Sequence, residues 1–190
     1  MSIANKKSYE EQIESVLKFK LRSDSLKRIK ELKLKVGFSD FEELFSSCLG
    51  TLEIFLKEKL KNRVFVTLDE KYLTDPDSWD KKVWLFDIDF LKKDTDVHIR
   101  NLEVLQRSRF DEPDYDCDEI KKLLGKENYQ EIMVNSIVLI EWIVTEIDEG
   151  RIIGSVDKEE FEHMTSSNWR ILILYTNIND LSDYKYSWDL

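Results

Sequence analysis

Residues 16–22, Val-Leu-Lys-Phe-Lys-Leu-Arg, alternate between apolar and basic after Val16. Leu17, Phe19 and Leu21 fall on one face, with Lys18, Lys20 and Arg22 on the other. Period two predicts a half-buried strand, because successive side chains of a strand point to opposite sides. The period then changes. Ser23, Asp24 and Ser25 are favoured N-cap types, and Leu26, Ile29, Leu32 and Val36 recur at helical spacing. Gly37 suits the left-handed residue just past a helix end. Ser39-Asp40-Phe41-Glu42 has capping-box spacing and predicts the start of a second helix. Its apolar stripe is Phe41, Leu44, Phe45, Cys48, Leu49, Leu52, Phe55 and Leu56, fading into the basic stretch 57–63. Residues 16–61 therefore read as strand, helix, helix.

The rest of the chain mixes the two periods. Residues 63–68, 82–90 and 97–110 are β-like, and Asp75-Pro76-Asp77-Ser78 is a turn signal. Pro113, behind Asp111-Glu112, predicts a first helical turn, and Cys117, Ile120 and Leu124 carry that helix to Gly125. A long amphipathic helix is expected from about 128 to 149, ahead of Gly150. The last β-like run, 170–176, precedes an acidic tail containing tyrosines.

Sliding the chain by 88 residues lays 37–73 on 125–161 without a gap. Gly37/Gly125, Glu43/Glu131, Glu53/Glu141, Glu58/Glu146, Arg63/Arg151 and Asp69/Asp157 coincide as identities. Leu44/Ile132, Leu49/Ile137, Leu52/Ile140, Val64/Ile152 and Leu68/Val156 keep apolar character. Amphipathic helices always match in part through their periodicity. The shared Gly and the Arg and Asp at fixed distances after the helix carry more weight, and they predict an internal duplication.

Composition refines this picture. A chain of 190 residues that is 42% hydrophobic and 12% aromatic can bury a core, and 5 Gly with 2 Pro leave little room for a loop-dominated fold. The net charge of −10 argues against a nucleic-acid binder, since phosphate contact needs a positive footprint. The charge is uneven, however. Residues 1–63 hold 14 basic and 10 acidic side chains, and the remainder holds 15 and 29. The basic excess belongs to the first third. Cys48 and Cys117 form no CxxC pair, which suits a reducing compartment better than a disulfide or zinc site. No apolar run approaches the roughly 20 residues of a membrane span, and the first residues lack the apolar core of a signal peptide. A cytoplasmic protein with no membrane association is expected.

The strand 17–22, the helix ending at Gly37 and the second helix opening at Ser39 resemble the ribbon-helix-helix (Arc/MetJ-like) family. The stretch 149–157 resembles the extension after the second helix in antitoxin-like members. The resemblance implies an α+β fold of two ribbon-helix-helix units in tandem, with additional strands between and after them. Each unit is too short to bury its own stripe. Two therefore intertwine, either as an intramolecular pseudo-dimer or as a homodimer, and their strands pair as an antiparallel ribbon. Such a ribbon enters the major groove of double-stranded DNA. By resemblance, Lys18, Lys20 and Arg22 would face base edges, and the helix start at Ser39 would meet a phosphate. The strict 88-residue offset puts Arg107 and Arg109 on the core face. A one-residue slip turns both outward, and that register is preferred because unpaired buried arginines are costly. Asp111, Glu112, Asp114, Asp116 and Asp118 crowd the second unit and would repel phosphate.

The expected layout is an arm at 1–15, units at 16–73 and 104–161, a β-rich insertion at 74–103, and a strand with its tail at 162–190. Catalysis is not expected. Val83–Asp89 resembles the first motif of haloacid-dehalogenase phosphatases, but Phe90-Leu91-Lys92 follows where a small residue and Thr are required. His98 and His163 are far apart, and neither a metal nor a cofactor is expected. In the tail, Tyr184, Tyr186 and Trp188 stand among Asp183 and Asp189 and could dock on a basic protein such as a toxin. Two functions follow as expectations. The first is a DNA-binding transcriptional regulator or antitoxin-like protein. The second is an immunity- or adaptor-like protein-binding module on the same scaffold, with DNA binding lost. Lysines on an exposed edge strand also serve simply to prevent aggregation, and the basic run 57–63 suits a helix C-terminus.

Overall fold

From Ile132 to Ile140 every residue is buried, which a helix tolerates only when it is surrounded on all sides. That helix, α5 (Tyr129–Asp148), packs against α3 (Phe41–Leu60), whose residues 44–52 are likewise buried throughout. The pair forms the centre of a computed structural model that describes residues 8–17, 20–72, 83–86, 104–106, 118–125, 128–163 and 170–183. Around it, in chain order, lie α1 (Tyr9–Leu17), β1 (Lys20–Leu21), α2 (Ser23–Val36), β2 (Arg63–Asp69), β3 (Val83–Phe86), β4 (Val104–Gln106) and α4 (Asp118–Leu124). After α5 come β5 (Arg151–Asp157), α6 (Lys158–His163) and β6 (Leu172–Tyr175). The fold is α+β.

The predicted stripe of α3 is the observed one, for Phe41, Leu44, Phe45, Cys48, Leu49, Leu52, Phe55 and Leu56 are all buried. Gly37 ends α2 in the left-handed conformation, with φ +81°, and its N–H bonds the Lys33 carbonyl at 3.0 Å. Phe55 stacks on Phe65 of β2 with ring centroids 4.3 Å apart and lies 6.3 Å from Tyr175 of β6. The polar side of α3 is closed from elsewhere: Ser47 donates to the Leu181 carbonyl at 2.6 Å, and the Tyr175 hydroxyl bonds Thr51 Oγ1 at 3.1 Å. These bonds let hydroxyls sit in the core without an unsatisfied group.

Two antiparallel sheets are present among the described residues: β1 with β4, and a four-stranded sheet ordered β3-β2-β5-β6. The β2–β5 ladder has a notable register. Val66 faces Gly154, which is the residue 88 positions further on. On either side Arg63 faces Asp157 and Asp69 faces Arg151. Positions related by the offset thus exchange partners reciprocally, giving the backbone a local two-fold axis between Val66 and Gly154. The corners leading into these strands repeat as well. Arg63 Nε lies 3.1 Å from Glu58 Oε2, and Arg151 Nη2 lies 3.0 Å from Glu146 Oε1. Glu58 is buried, and Ser155 Oγ supplies a further bond to it at 3.1 Å.

The first helix of each half packs on the second helix of the other. Arg28 of α2 forms a two-pronged bond to Glu141 of α5, at 3.2 and 2.6 Å, and Lys35 of α2 pairs with Asp148 of α5. In the other direction, Lys57 of α3 lies 3.9 Å from Glu119 of α4.

Several expectations shift. Of the strand predicted at 17–22, Lys20–Leu21 is strand among the described residues, whereas Val16 and Leu17 belong to α1. That helix has its own start signal in the stretch expected to be an arm: the Ser8 N–H bonds Glu11 Oε2 at 2.7 Å, and Ser8 Oγ accepts from the Glu11 N–H at 3.2 Å. Ile13 and Leu17 then bury the inner face of α1. Arg22, not Ser23–Ser25, occupies the N-cap of α2, without a side-chain cap. The second helix starts one residue later than predicted, with Asp40 as its cap, accepting from the Glu43 N–H at 2.8 Å. Helix α6, opened by Asp157 accepting from the Glu159 N–H at 2.8 Å, was not predicted.

Leu49 is fully buried in α3, so Leu49→Ala should cost about 2–5 kcal/mol, read from denaturant unfolding midpoints. Gly154 is needed for the close approach of the neighbouring strand. A Cβ there would lie 2.6 Å from Ile171 Cγ2 and 3.0 Å from the Leu172 carbonyl oxygen. Gly154→Ala should destabilise by about 1–3 kcal/mol, although alanine suits regular structure better than glycine; an unchanged midpoint would refute the close approach.

Candidate nucleic-acid interface

The alternation at 17–22 survives in its last residues. Lys20 is exposed and Leu21 is 2% exposed, so the short strand β1 turns its basic residue outward and its apolar residue into the core. In the antiparallel pairing with β4, Lys20 stands opposite Gln106 and Leu21 opposite Val104, with a register irregularity between the two pairs. The two strands are more than 80 residues apart in one chain, so the ribbon closes intramolecularly. Arg22 follows at the N-cap of α2, extended and exposed, its carbonyl accepting from the Leu26 N–H at 3.0 Å. Lys20 and Arg22 therefore lie together at the ribbon and the start of α2. Lys18, Arg107 and Arg109 lie outside the described residues, as do Tyr184, Tyr186 and Trp188.

Lys20 has an anionic neighbour that the sequence reading did not foresee. Its ammonium is 3.8 Å from Glu14 Oε2 on α1, with 54% of the lysine side chain exposed. At that exposure the pair is worth about 0–1 kcal/mol, so a phosphate or base edge can replace the carboxylate at little cost.

The other basic residues of α2 are engaged too, Arg28 and Lys35 with α5 and three more nearer by. Lys27 lies 3.8 Å from Glu31, Lys30 sits over the Tyr9 ring at 4.2 Å, and Lys33 donates to the Phe38 carbonyl at 2.9 Å. Downstream, Lys57 bonds Glu53 on its own helix, and this hydrogen bond raises the lysine pKa above its ordinary value. The basic run at the end of α3 thus serves the helix and its neighbour.

Ser39 is withdrawn from the set of DNA contacts. Its N–H and hydroxyl both bond Glu43 Oε2, at 2.9 and 3.0 Å, and the Glu43 N–H is taken by Asp40. Carboxylates of Asp40, Glu42 and Glu43 surround the start of α3, and a phosphate there would meet like charge before it met a helix dipole. The serine was read as the cap because it precedes the glutamate at the right spacing. Asp40, one position later, makes the cap with Glu43.

No other chemistry gathers nearby. Among the described residues no group of three or more His, Cys, Asp or Glu side chains is placed to hold a metal, and no helix is long and apolar enough to cross a membrane. Cys48 is fully buried. Desolvation, reinforced by the Glu141 carboxylate, pushes its thiol far above the usual range, so the nucleophilic thiolate does not form in the native state. In a Cys117→Ser variant, Cys48 should react with a thiol reagent only as fast as the core opens; labelling at the rate of a free thiol would contradict its burial.

The chain matches no protein-family model, no curated protein and no solved structure.

Proposed function

We propose that the chain is a tandem of two ribbon-helix-helix units folded into an intramolecular pseudo-dimer. In this reading it is a transcriptional regulator or antitoxin-like protein that binds double-stranded DNA through the β1–β4 ribbon. The observation that carries this is the antiparallel pairing of β1 with β4, each strand leading into a pair of helices, with Lys20 turned out and Leu21 turned in. The exchange of helices between halves, through Arg28–Glu141 and Lys57–Glu119, supports it, since intertwining is how units this short bury their stripes. So does the charge, which is a basic excess in residues 1–63 alone.

Lys18, Lys20 and Arg22 from the first unit and Arg107 and Arg109 from the second are the proposed contacts. A two-stranded ribbon fits the major groove, where Arg and Lys recognise guanine O6 and N7. The protein would act in the cytoplasm. The remaining acidic surface keeps non-specific phosphate binding low, so discrimination rests on a few ribbon side chains.

A second reading draws on the carboxylates of Asp40, Glu42 and Glu43 at the start of α3, together with the acidic balance of residues 64–190. An immunity- or adaptor-like module would use such a face against a basic protein such as a toxin, with Tyr184, Tyr186 and Trp188 as anchors.

Fluorescence anisotropy against genomic fragments at two salt concentrations separates the readings. DNA binding should weaken steeply with salt, and Lys20→Ala or Arg22→Ala should each cost about 1–3 kcal/mol if the side chain reads a base. Binding that both substitutions leave unchanged refutes the assigned ribbon. Purification from the native host with a stoichiometric protein partner and no DNA supports the second reading instead.

A further inference from the structure

We propose that one chain of this protein, acting alone, recognises a DNA site that contains no inverted repeat. This rests on the DNA-binding reading above and goes beyond it by naming the symmetry of the partner. The starting observation is the β2–β5 register. An isologous interface brings the same patch together twice, so that residue i meets residue j and j meets i. Here the reciprocal contacts, Arg63 to Asp157 and Asp69 to Arg151 about the Val66–Gly154 centre, are all made within one chain. The ribbon is closed in the same way by β1 and β4, and α3 already packs on α5. Among the described residues, the ladder, the ribbon and the helix pair, through which a second copy could join the first by the same two-fold, are already occupied. The binding unit is one chain.

That chain keeps the two-fold in its backbone and breaks it in its side chains. At the centre of the ladder Val66 faces Gly154. Strand β3 flanks β2 as β6 flanks β5, with Leu85 beside Val66 and Ile173 beside Gly154. The valine of one half is, however, a glycine in the other, where Ile171 Cγ2 comes within 2.6 Å of where a Cβ would lie. The second helices are capped by Asp40 in one half and Asn128 in the other. On the ribbon itself Lys20 stands opposite Gln106, and Leu21 opposite Val104. Operator palindromy mirrors the two-fold symmetry of the protein that reads it. The two strands of the ribbon therefore differ in sequence at positions paired in register, lysine against glutamine, so the ribbon is not the same when turned about its two-fold. The preferred sequence then differs from its own reverse complement.

Selection from a random-sequence duplex library, followed by measurement of the mass of the purified complex, tests this. The expected result is a non-palindromic motif bound by one chain per duplex, in a single orientation. That orientation is confirmed by a cleavage reagent attached near residue 20, which should cut at one end of the site. A palindromic motif, two chains per site, or equal cutting at both ends overturns the inference while leaving DNA binding in place. Failure of the library to yield any retained sequence overturns the DNA-binding reading, and the inference falls with it. In Lys20→Gln the facing ribbon residues become identical, and the motif should lose discrimination at the position that Lys20 reads. An unchanged motif also overturns the inference.

Discussion

The packing of α3 against α5 is the constraint on which the rest depends. Both helices are buried around most of their circumference, which no amphipathic surface helix tolerates, so each must be covered from several directions at once. The covering elements come from far along the chain. Tyr175 and Leu181 close one side of α3, Phe65 and Trp142 meet at Phe55, and α2 and α4 cross over to the opposite half. Neither half could bury these helices by itself. The four-stranded sheet and the short ribbon are arranged around the helix pair.

Symmetry in this fold is a property of the backbone, and the side chains depart from it. The Glu58–Arg63 and Glu146–Arg151 corners show what was kept: an acidic residue near a helix end holds the arginine that begins the following strand. Arg151 is held strongly enough by Glu146 and Glu149 that its pKa is raised. Gly154 shows what changed: it stands where the other half has Val66, and Ile171 comes within 2.6 Å of where its Cβ would lie. Charge diverged further, leaving the basic residues near one strand of the ribbon and carboxylates around the helix starts.

Elements with strong local periodicity were legible from the sequence. The stripe from Phe41 to Leu56, the stop at Gly37 and the strand beginning at Arg63 are each set by side chains within one or two turns of each other. The strand at 17–22 was not, because Val16 and Leu17 satisfy period two and period 3.6 equally well. The box between Ser8 and Glu11 decides in favour of a helix there, and it was readable but overlooked. Ser39 illustrates a different limit: spacing alone does not distinguish it from Asp40, and Asp40 takes the Glu43 N–H. Glu14 beside Lys20 belongs to neither category, since it is the approach of α1 to β1 that brings them together.

The sequence by itself determined α2, α3, α4 and α5, the buried faces of the two long helices and the 88-residue offset, because these follow from propensity and hydrophobic pattern over short spans. It also located the basic excess in the first third of the chain. Tertiary structure alone decided that β1 pairs with β4 in the same chain and that Val66 meets Gly154. These outcomes depend on contacts between residues tens of positions apart, and strand registers that are equally compatible with a local pattern are separated only when the whole core is packed. The net charge of −10 was thus resolved along the chain in two steps. Sequence showed that it is unevenly distributed, and the fold showed which cations reach the surface beside the ribbon.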